Sequence, residues 1–420
     1  MRKSFLLLLG VAALGYSAGT WVDTTFIPPS LGFESPVMVY LPEGYDPEGT
    51  IDYPVIYWLH GWGHHYFHNF AMQQGVLDSL ILADAIEPVI WVKPEGACEP
   101  YNGSMWVNSA LYGNFGDCVT NDLVAWTDSS FCTIDNRDFR CLAGHSMGAS
   151  GSMDLALRHP GVYKAVASDA GHLDLLKLLE LAVPIVIGQS PETEPPYSYD
   201  WGNGFYTDGM FLFCGGYSPN MASPPYYVDF IIDGYGDIVE GVYDQWKLHN
   251  PCHLVKVEPP SADLGIFFCV GGGDEFPLAC CESYSDTLSS VGVEHSFFVD
   301  STTGHPISKI RLIQMILFLN GRMLGIDEEF LATPSASIYP ASPNPFTSST
   351  TISFQLPVAC NVQLDVYDVS GRIVKTLVDE ALPEGLNQTF LSDHGLKPGV
   401  YILKLTTPGG IVTESCLLLR

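Results

Sequence analysis

Basic residues are scarce in this chain. Only 18 Lys and Arg stand against 47 Asp and Glu, a formal net charge of −29, so the summed field repels phosphate backbones and anionic lipid surfaces. Nucleic acid is therefore not an expected partner. Charge of either sign is thin, at 15% of residues, whereas 47% are hydrophobic. A chain of 420 residues with that balance buries at least one large core and has room for two domains. After the N-terminal leader no run of about 20 apolar residues occurs, which argues against a membrane-spanning helix in the mature protein. The acidity reads as solubility of an exported protein rather than as recognition of a cationic substrate.

Met1-Arg2-Lys3, the apolar run Phe5 to Leu14 and the small residues Ser17, Ala18 and Gly19 stand in the order of a secretory signal peptide, predicted over residues 1–19. Eleven cysteines fit an oxidising compartment, and pairs such as Cys118 with Cys132, or Cys98 with a partner nearby, are expected to staple loops. The odd number leaves at least one thiol unpaired. None lies in a nucleophile-like context, so structural use is the expectation.

Short apolar, β-branched or aromatic runs recur at Val37 to Leu41, Val55 to Leu59, Val89 to Val92, Phe139 to Ala143, Ala165 to Ser168, Ile266 to Val270 and Ser296 to Val299. Most are continuously apolar rather than alternating, which is what strands covered on both faces require. Helical patterns lie between them: Phe70 to Ala83, Asn121 to Phe131, Met147 to His159, and Ile307 to Met323 with Ile310, Ile313, Ile316 and Leu317 on one face. Alternation of strand and helix predicts an α/β domain with a mostly parallel sheet over residues 20–330. The stretch of about 172–260 breaks the rhythm, being rich in Pro, Gly, Tyr and Phe. It is too long for a loop and predicts a cap over the carboxyl ends of the strands. A small-residue linker, 331–337, precedes Thr351 to Leu356, Val362 to Tyr367, Ile373 to Leu377, Val400 to Leu405 and Ile411 to Leu417, with Gly, Pro and Asn turns between them. These predict an all-β sandwich over 338–420.

Gly144-His145-Ser146-Met147-Gly148 joins a strand to a helix. A hydrolytic serine needs its hydroxyl lifted clear of the sheet, a base to take its proton and donors for the developing oxyanion, and a strand–turn–helix G-x-S-x-G supplies the first of these. Ser146 is the candidate nucleophile. The acid and then the base are expected downstream. Asp274, after the strand Ile266 to Val270, is the candidate acid, with Glu275 and Asp169 as competitors; His305, between the strand near Val299 and the last helix, is the candidate base. Backbone N–H groups of Trp62, in Leu59-His60-Gly61-Trp62-Gly63, and of Met147 are the candidate oxyanion donors. His60, His64, His65 and His68 cluster, and His64 with His68 has i, i+4 spacing, but no Glu follows His64 as a zinc-protease motif needs and no third ligand stands near. No metal and no cofactor is expected. The aromatic residues of the cap, Tyr197, Tyr199, Trp201, Phe205, Tyr206, Tyr217, Tyr226 and Tyr227, either stack on sugars or arenes or pack the insertion itself.

Val39-Tyr40-Leu41-Pro42-Glu43-Gly44-Tyr45, Tyr53 to Gly61, Arg140 to Gly148 and Gly304-His305 together resemble the α/β-hydrolase esterase family that includes S-formylglutathione hydrolases, feruloyl and acetylxylan esterases, enterochelin esterases and mycolyltransferases. The resemblance covers about Phe33 to Leu324. It implies a Ser146–Asp274–His305 triad and oxyanion donors at Trp62 and Met147. The chain departs from the pattern in carrying Pro306-Ile307-Ser308 where an aromatic usually follows the histidine, and in its long aromatic insertion. Tyr339 to Phe346, Thr351 to Phe354, Val366 to Arg372 and Leu396 to Tyr401 resemble the sorting domain of type IX secretion, which implies a secretion-machinery partner and a secreted or cell-surface protein. The expectation is a serine esterase acting on a small-molecule or polysaccharide-linked ester, with feruloyl or acetyl groups on carbohydrate as the preferred class. An acyltransferase using the same acyl-enzyme and an inactive surface-binding module remain the alternatives, and the sequence does not indicate an oligomeric state.

Overall fold

The computed structural model describes residues 18–325, 336–356, 360–368, 371–383, 385–407 and 410–419. The predicted signal peptide up to residue 17 and most of the predicted linker lie outside the described residues. The chain divides into two compact units, Met1–Asp327 and Glu328–Arg420.

The first unit is built on an eight-stranded sheet of β1 (Thr20–Phe26), β2 (Ser35–Leu41), β3 (Val55–Leu59), β4 (Ile90–Pro94), β5 (Arg140–His145), β6 (Ala165–Asp169), β7 (Gly265–Gly271) and β8 (Ser296–Asp300), in the order β1-β2-β4-β3-β5-β6-β7-β8. The pairs β1–β2 and β2–β4 are antiparallel and all later neighbours are parallel. Every residue of β3, β4, β5, β6 and β7 is buried, which accounts for their mainly apolar character, because helices cover both faces; Lys93, Arg140, His145, Ser168 and Asp169 are the polar exceptions. β1, Thr-Trp-Val-Asp-Thr-Thr-Phe, was not anticipated: it is an edge strand that is mostly open to solvent and carries polar residues. The α/β-hydrolase expectation is met.

The main helices of this unit are α1 (Phe70–Leu82), α2 (Leu123–Ser130), α3 (Met147–Arg158), α4 (Leu175–Gly188), α5 (Phe205–Tyr217), α6 (Glu240–Lys247), α7 (Pro251–Val257), α8 (Glu275–Ser290) and α9 (Lys309–Leu324), with α3, α8 and α9 packed directly on the sheet. Four of these, α4 to α7, occupy the insertion between β6 and β7. Asp174 starts α4 by accepting from the N–H groups of Leu176 and Lys177, and Asn250 starts α7 ahead of Pro251. Pro184 inside α4 gives up one helical hydrogen bond and disguises the segment as irregular chain.

The expected disulfides are a correction: all eleven cysteines are free thiols. Cys132 lies with its sulfur 3.6 Å from the Pro47 carbonyl oxygen, and Cys98 donates to the Gly103 carbonyl at 3.3 Å. Burial pushes the Cys98 and Cys118 thiols up to about 12, so both are poor nucleophiles.

In the second unit β9 (Ser337–Ile338), β10 (Ser349–Leu356) and β13 (Gly385–Ser392) form one antiparallel sheet, and β11 (Cys360–Asp368), β12 (Ile373–Leu382), β14 (Gly399–Thr407) and β15 (Gly410–Leu418) another. Ile352, Phe354, Leu364, Val366, Leu403 and Leu405 meet in its core, the expected sandwich. β13 escaped the sequence reading because most of its positions alternate between half-buried and exposed, with Asn, Gln and Thr among them.

Candidate active site

β5 runs into α3 through Ser146, whose backbone takes φ 56 and ψ −116. This is a costly conformation for a residue with a Cβ, and it is held by the Ser146 N–H donating to the Asp169 carbonyl at 2.8 Å. The flanking glycines serve close packing rather than the turn itself. A Cβ at Gly148 would stand 2.0 Å from the Leu59 carbonyl oxygen, and one at Gly144 would stand 2.2 Å from that of Gly148. The two absent side chains let α3 start against the end of β3, and the strain falls on the serine, which is thereby raised above the sheet.

Asp274 follows β7 and immediately precedes α8. His305 lies in the loop between β8 and α9. These loops touch because β7 ends in glycine: a Cβ on Gly271 would meet the Gly304 carbonyl oxygen at 2.2 Å, and the Gly273 N–H donates to the Thr303 carbonyl at 3.0 Å. Ser146 Oγ lies 2.9 Å from His305 Nε2, and His305 Nδ1 lies 2.7 Å from Asp274 Oδ2. Three side chains from three strand ends thus form one hydrogen-bonded line.

The line opens on a cavity of about 450 Å³. Leu178 and Ala182 of α4, Met210, Leu212 and Phe213 of α5, and Met105 make its apolar wall. The insertion therefore does cap the site. Of its aromatics, Phe205 and Tyr206 line the cavity, whereas Tyr217 stacks on His249 at 4.6 Å and Tyr199 on Phe230 at 4.9 Å, so the latter two pack the cap itself. Trp62 and Met147, the expected oxyanion positions, both border the cavity beside Ser146. The Trp62 indole donates to the Tyr101 carbonyl at 2.8 Å and its ring lies 5.4 Å from that of Phe205.

Residues 29–285 match the model of the family described as "Putative esterase". The chain belongs to this esterase family. Residues 337–418 match the secretion system C-terminal sorting domain, which marks the protein as secreted or held at the cell surface. An esterase of Mycobacterium tuberculosis is 29% identical over 155 residues, 37% of this chain and 33% of that one. The endo-1,4-beta-xylanase/feruloyl esterase of Xylanibacter ruminicola is 31% identical over 153 residues, 34% of this chain and 20% of that protein. The chain thus matches no more than about a third of the length of these relatives. A solved ferulic acid esterase is 16% identical, with a TM-score of 0.52 over 73% of this chain and 100% of that one, and so shares the fold.

The family match ends before His305, and only the fold brings that residue to the serine. Of the two competing carboxylates, Glu275 lines the cavity without bonding the imidazole. Asp169 is fully buried and is engaged by His145 Nδ1 at 2.6 Å and Arg311 at 2.6 Å. The histidine cluster is divided: His60 and His65 each lie 3.0 Å from Glu95, while His64 and His68 stack at 3.7 Å. Among the described residues no group of three or more His, Cys, Asp or Glu is placed to hold a metal ion.

Two residues in or beside the site escaped sequence reasoning. His172 lines the cavity, its ring edge-on to Phe213 at 5.6 Å, and burial pulls its pKa down to about 4, so it is neutral at ordinary pH. Arg311 lies fully buried in α9 beneath the His305 loop. The apolar spacing of α9 gives no sign that an arginine shares its buried face.

Proposed function

We propose that the protein is a serine esterase that hydrolyses carboxylic esters through an acyl-enzyme on Ser146. The observation that carries this reading is the unbroken line Ser146 Oγ, His305 Nε2, His305 Nδ1, Asp274 Oδ2, with separations of 2.9 and 2.7 Å, at the mouth of an apolar cavity. His305 accepts the Ser146 proton through Nε2 as Oγ attacks the ester carbonyl, and Asp274 fixes the tautomer and stabilises the imidazolium. The backbone N–H groups of Trp62 and Met147 receive the oxyanion. His305 then protonates the departing alcohol, and water repeats the sequence to release the acid. The residues supply nucleophile, base and acid themselves, and no step calls for a cofactor.

The apolar wall suits the acyl group, and a volume of about 450 Å³ is more than an acetyl group fills, which favours a ring-bearing acyl group such as feruloyl over acetyl. Trp62 and Phe205, the latter 69% exposed, offer aromatic faces at the rim to the sugar of a carbohydrate-linked ester. The sorting domain is consistent with an exported enzyme acting on a substrate outside the cell.

The test is release of nitrophenol from nitrophenyl butyrate by the purified protein, with and without Ser146→Ala. Loss of turnover in the variant supports the reading, and unchanged turnover refutes it. Methyl ferulate against acetylated xylan then distinguishes the acyl class.

A further inference from the structure

A buried salt bridge lies behind the hydrogen-bonded line and belongs to none of the roles assigned so far. Arg311 and Asp169 both have side chains at 0% exposure, and Arg311 Nη1 donates to Asp169 Oδ1 at 2.6 Å. Sinking such a pair costs several kcal/mol per ion in desolvation, and an apolar pair of the same volume usually serves stability as well or better. Stability alone is therefore a weak reason for its presence.

Its connections supply a better one. The other oxygen of Asp169, Oδ2, lies 2.6 Å from Nδ1 of His145, the residue before the nucleophile, and the Asp169 carbonyl accepts the Ser146 N–H at 2.8 Å. Arg311 Nη2 donates to the Gly304 carbonyl at 3.0 Å and also to that of Pro306, the two residues that flank His305. One ion pair thus grips the serine elbow with its acid and both sides of the base with its guanidinium. Ser146 and His305 are 159 positions apart in the chain, and each sits on a loop. The planar guanidinium reaches the carboxylate from one nitrogen and the two carbonyls from another, whereas a lysine ammonium radiates its three donors from a single nitrogen and cannot span the same partners in the same geometry.

We propose that Arg311 and Asp169 are positioning residues that set the distance between Ser146 Oγ and His305 Nε2, an inference that rests on the esterase reading above. A displacement of about 1 Å between reacting groups costs on the order of 100-fold in turnover, while the substrate pocket on the cap is left as it was.

The test compares the full-length wild type with Arg311→Lys, Arg311→Met and Arg311→Met/Asp169→Asn, measuring kcat and KM on nitrophenyl butyrate together with the thermal midpoint. Arg311→Met strands a buried carboxylate, and it is expected to lower both the midpoint and kcat. The double variant is neutral and keeps an acceptor for His145. It is expected to regain most of the midpoint while kcat stays at least about tenfold down and KM stays within about twofold. Recovery of kcat along with the midpoint would overturn the proposal, since the pair would then be structural only. Arg311→Lys keeps the charge, guards against a failure of the others to fold, and is expected to lose at least about tenfold in kcat; wild-type kcat in this variant would also overturn it. Ser146→Ala run alongside separates the two readings: full turnover in that variant refutes the esterase itself, whereas an inactive Ser146→Ala beside a fully active Arg311→Lys removes only the positioning role.

Discussion

Replacing Asp274 by Asn keeps the size of the side chain and changes what it presents to His305. In the wild type Asp274 Oδ2 lies 2.7 Å from His305 Nδ1, with the acid 11% and the imidazole 44% exposed. A carboxylate can only accept, so Nδ1 carries the proton and Nε2 is free to take one from Ser146. An amide group turned toward Nδ1 reverses this: the proton moves to Nε2, which then faces the serine as a donor. In a water-excluded site that reversal costs about 10⁴ in kcat. His305 is nearly half open to water, which partly stands in for the lost acceptor. We therefore expect a loss of about 10³, or about 4 kcal/mol of transition-state stabilisation. Glu275→Gln, one residue on and free of the imidazole, is expected to stay within about threefold. Steady-state kinetics on nitrophenyl butyrate with a thermal melt of each variant decides the matter. The reasoning fails if Asp274→Asn keeps activity within about tenfold of wild type, or if Glu275→Gln proves the more damaging.

Gly148→Ala places a methyl group 2.0 Å from the Leu59 carbonyl oxygen and is expected to destabilise the protein by about 3 kcal/mol, read as a lower urea midpoint; an unchanged midpoint would contradict the close packing of α3 on β3. Ala182→Phe is expected to fill part of the cavity. Wild-type kcat/KM should rise by about fourfold per methylene from acetyl to butyryl nitrophenyl esters, and the variant should lose that gain; a parallel chain-length profile would place the acyl group elsewhere. The depressed pKa of His172, about 4 against the usual 6.5, is a linkage effect: between those values the unfolded chain binds a proton that the folded chain refuses. Stability falls as pH drops through that window, by up to about 1.4 kcal/mol per pH unit for this one group. His172→Phe is expected to flatten the slope of melting temperature against pH by one proton, and an unaltered slope would show the imidazole to be protonated in the fold.

The features legible in the sequence were those that depend on neighbours along the chain. Largely apolar runs announced β3 to β7 because burial on both faces leaves few polar positions, and Gly144 to Gly148 announced the elbow because few other residues allow so close an approach of helix to strand. Asp274 could be placed by its position after β7. Features that depend on distant partners were hidden. β1 and β13 carry polar residues at half-open positions, one cap helix, α4, has Pro184 within it, and Cys118 and Cys132 looked like a bridge until the fold gave each a separate pocket. Arg311 was the deepest omission, since a charge on an apolar helix face makes sense only once Asp169 and the His305 loop are beside it.

The division of labour between strand ends and insertion has a consequence for how this molecule can change. Its proposed reacting groups are scattered over 146–305 and must be inherited as a set, because each is useless without the others. Most of the wall proposed to receive the acyl group comes from one uninterrupted stretch between β6 and β7. A single recombination event across that stretch would exchange what the protein selects while sparing how it reacts, so lineages built on this frame are free to diversify their diet at one locus.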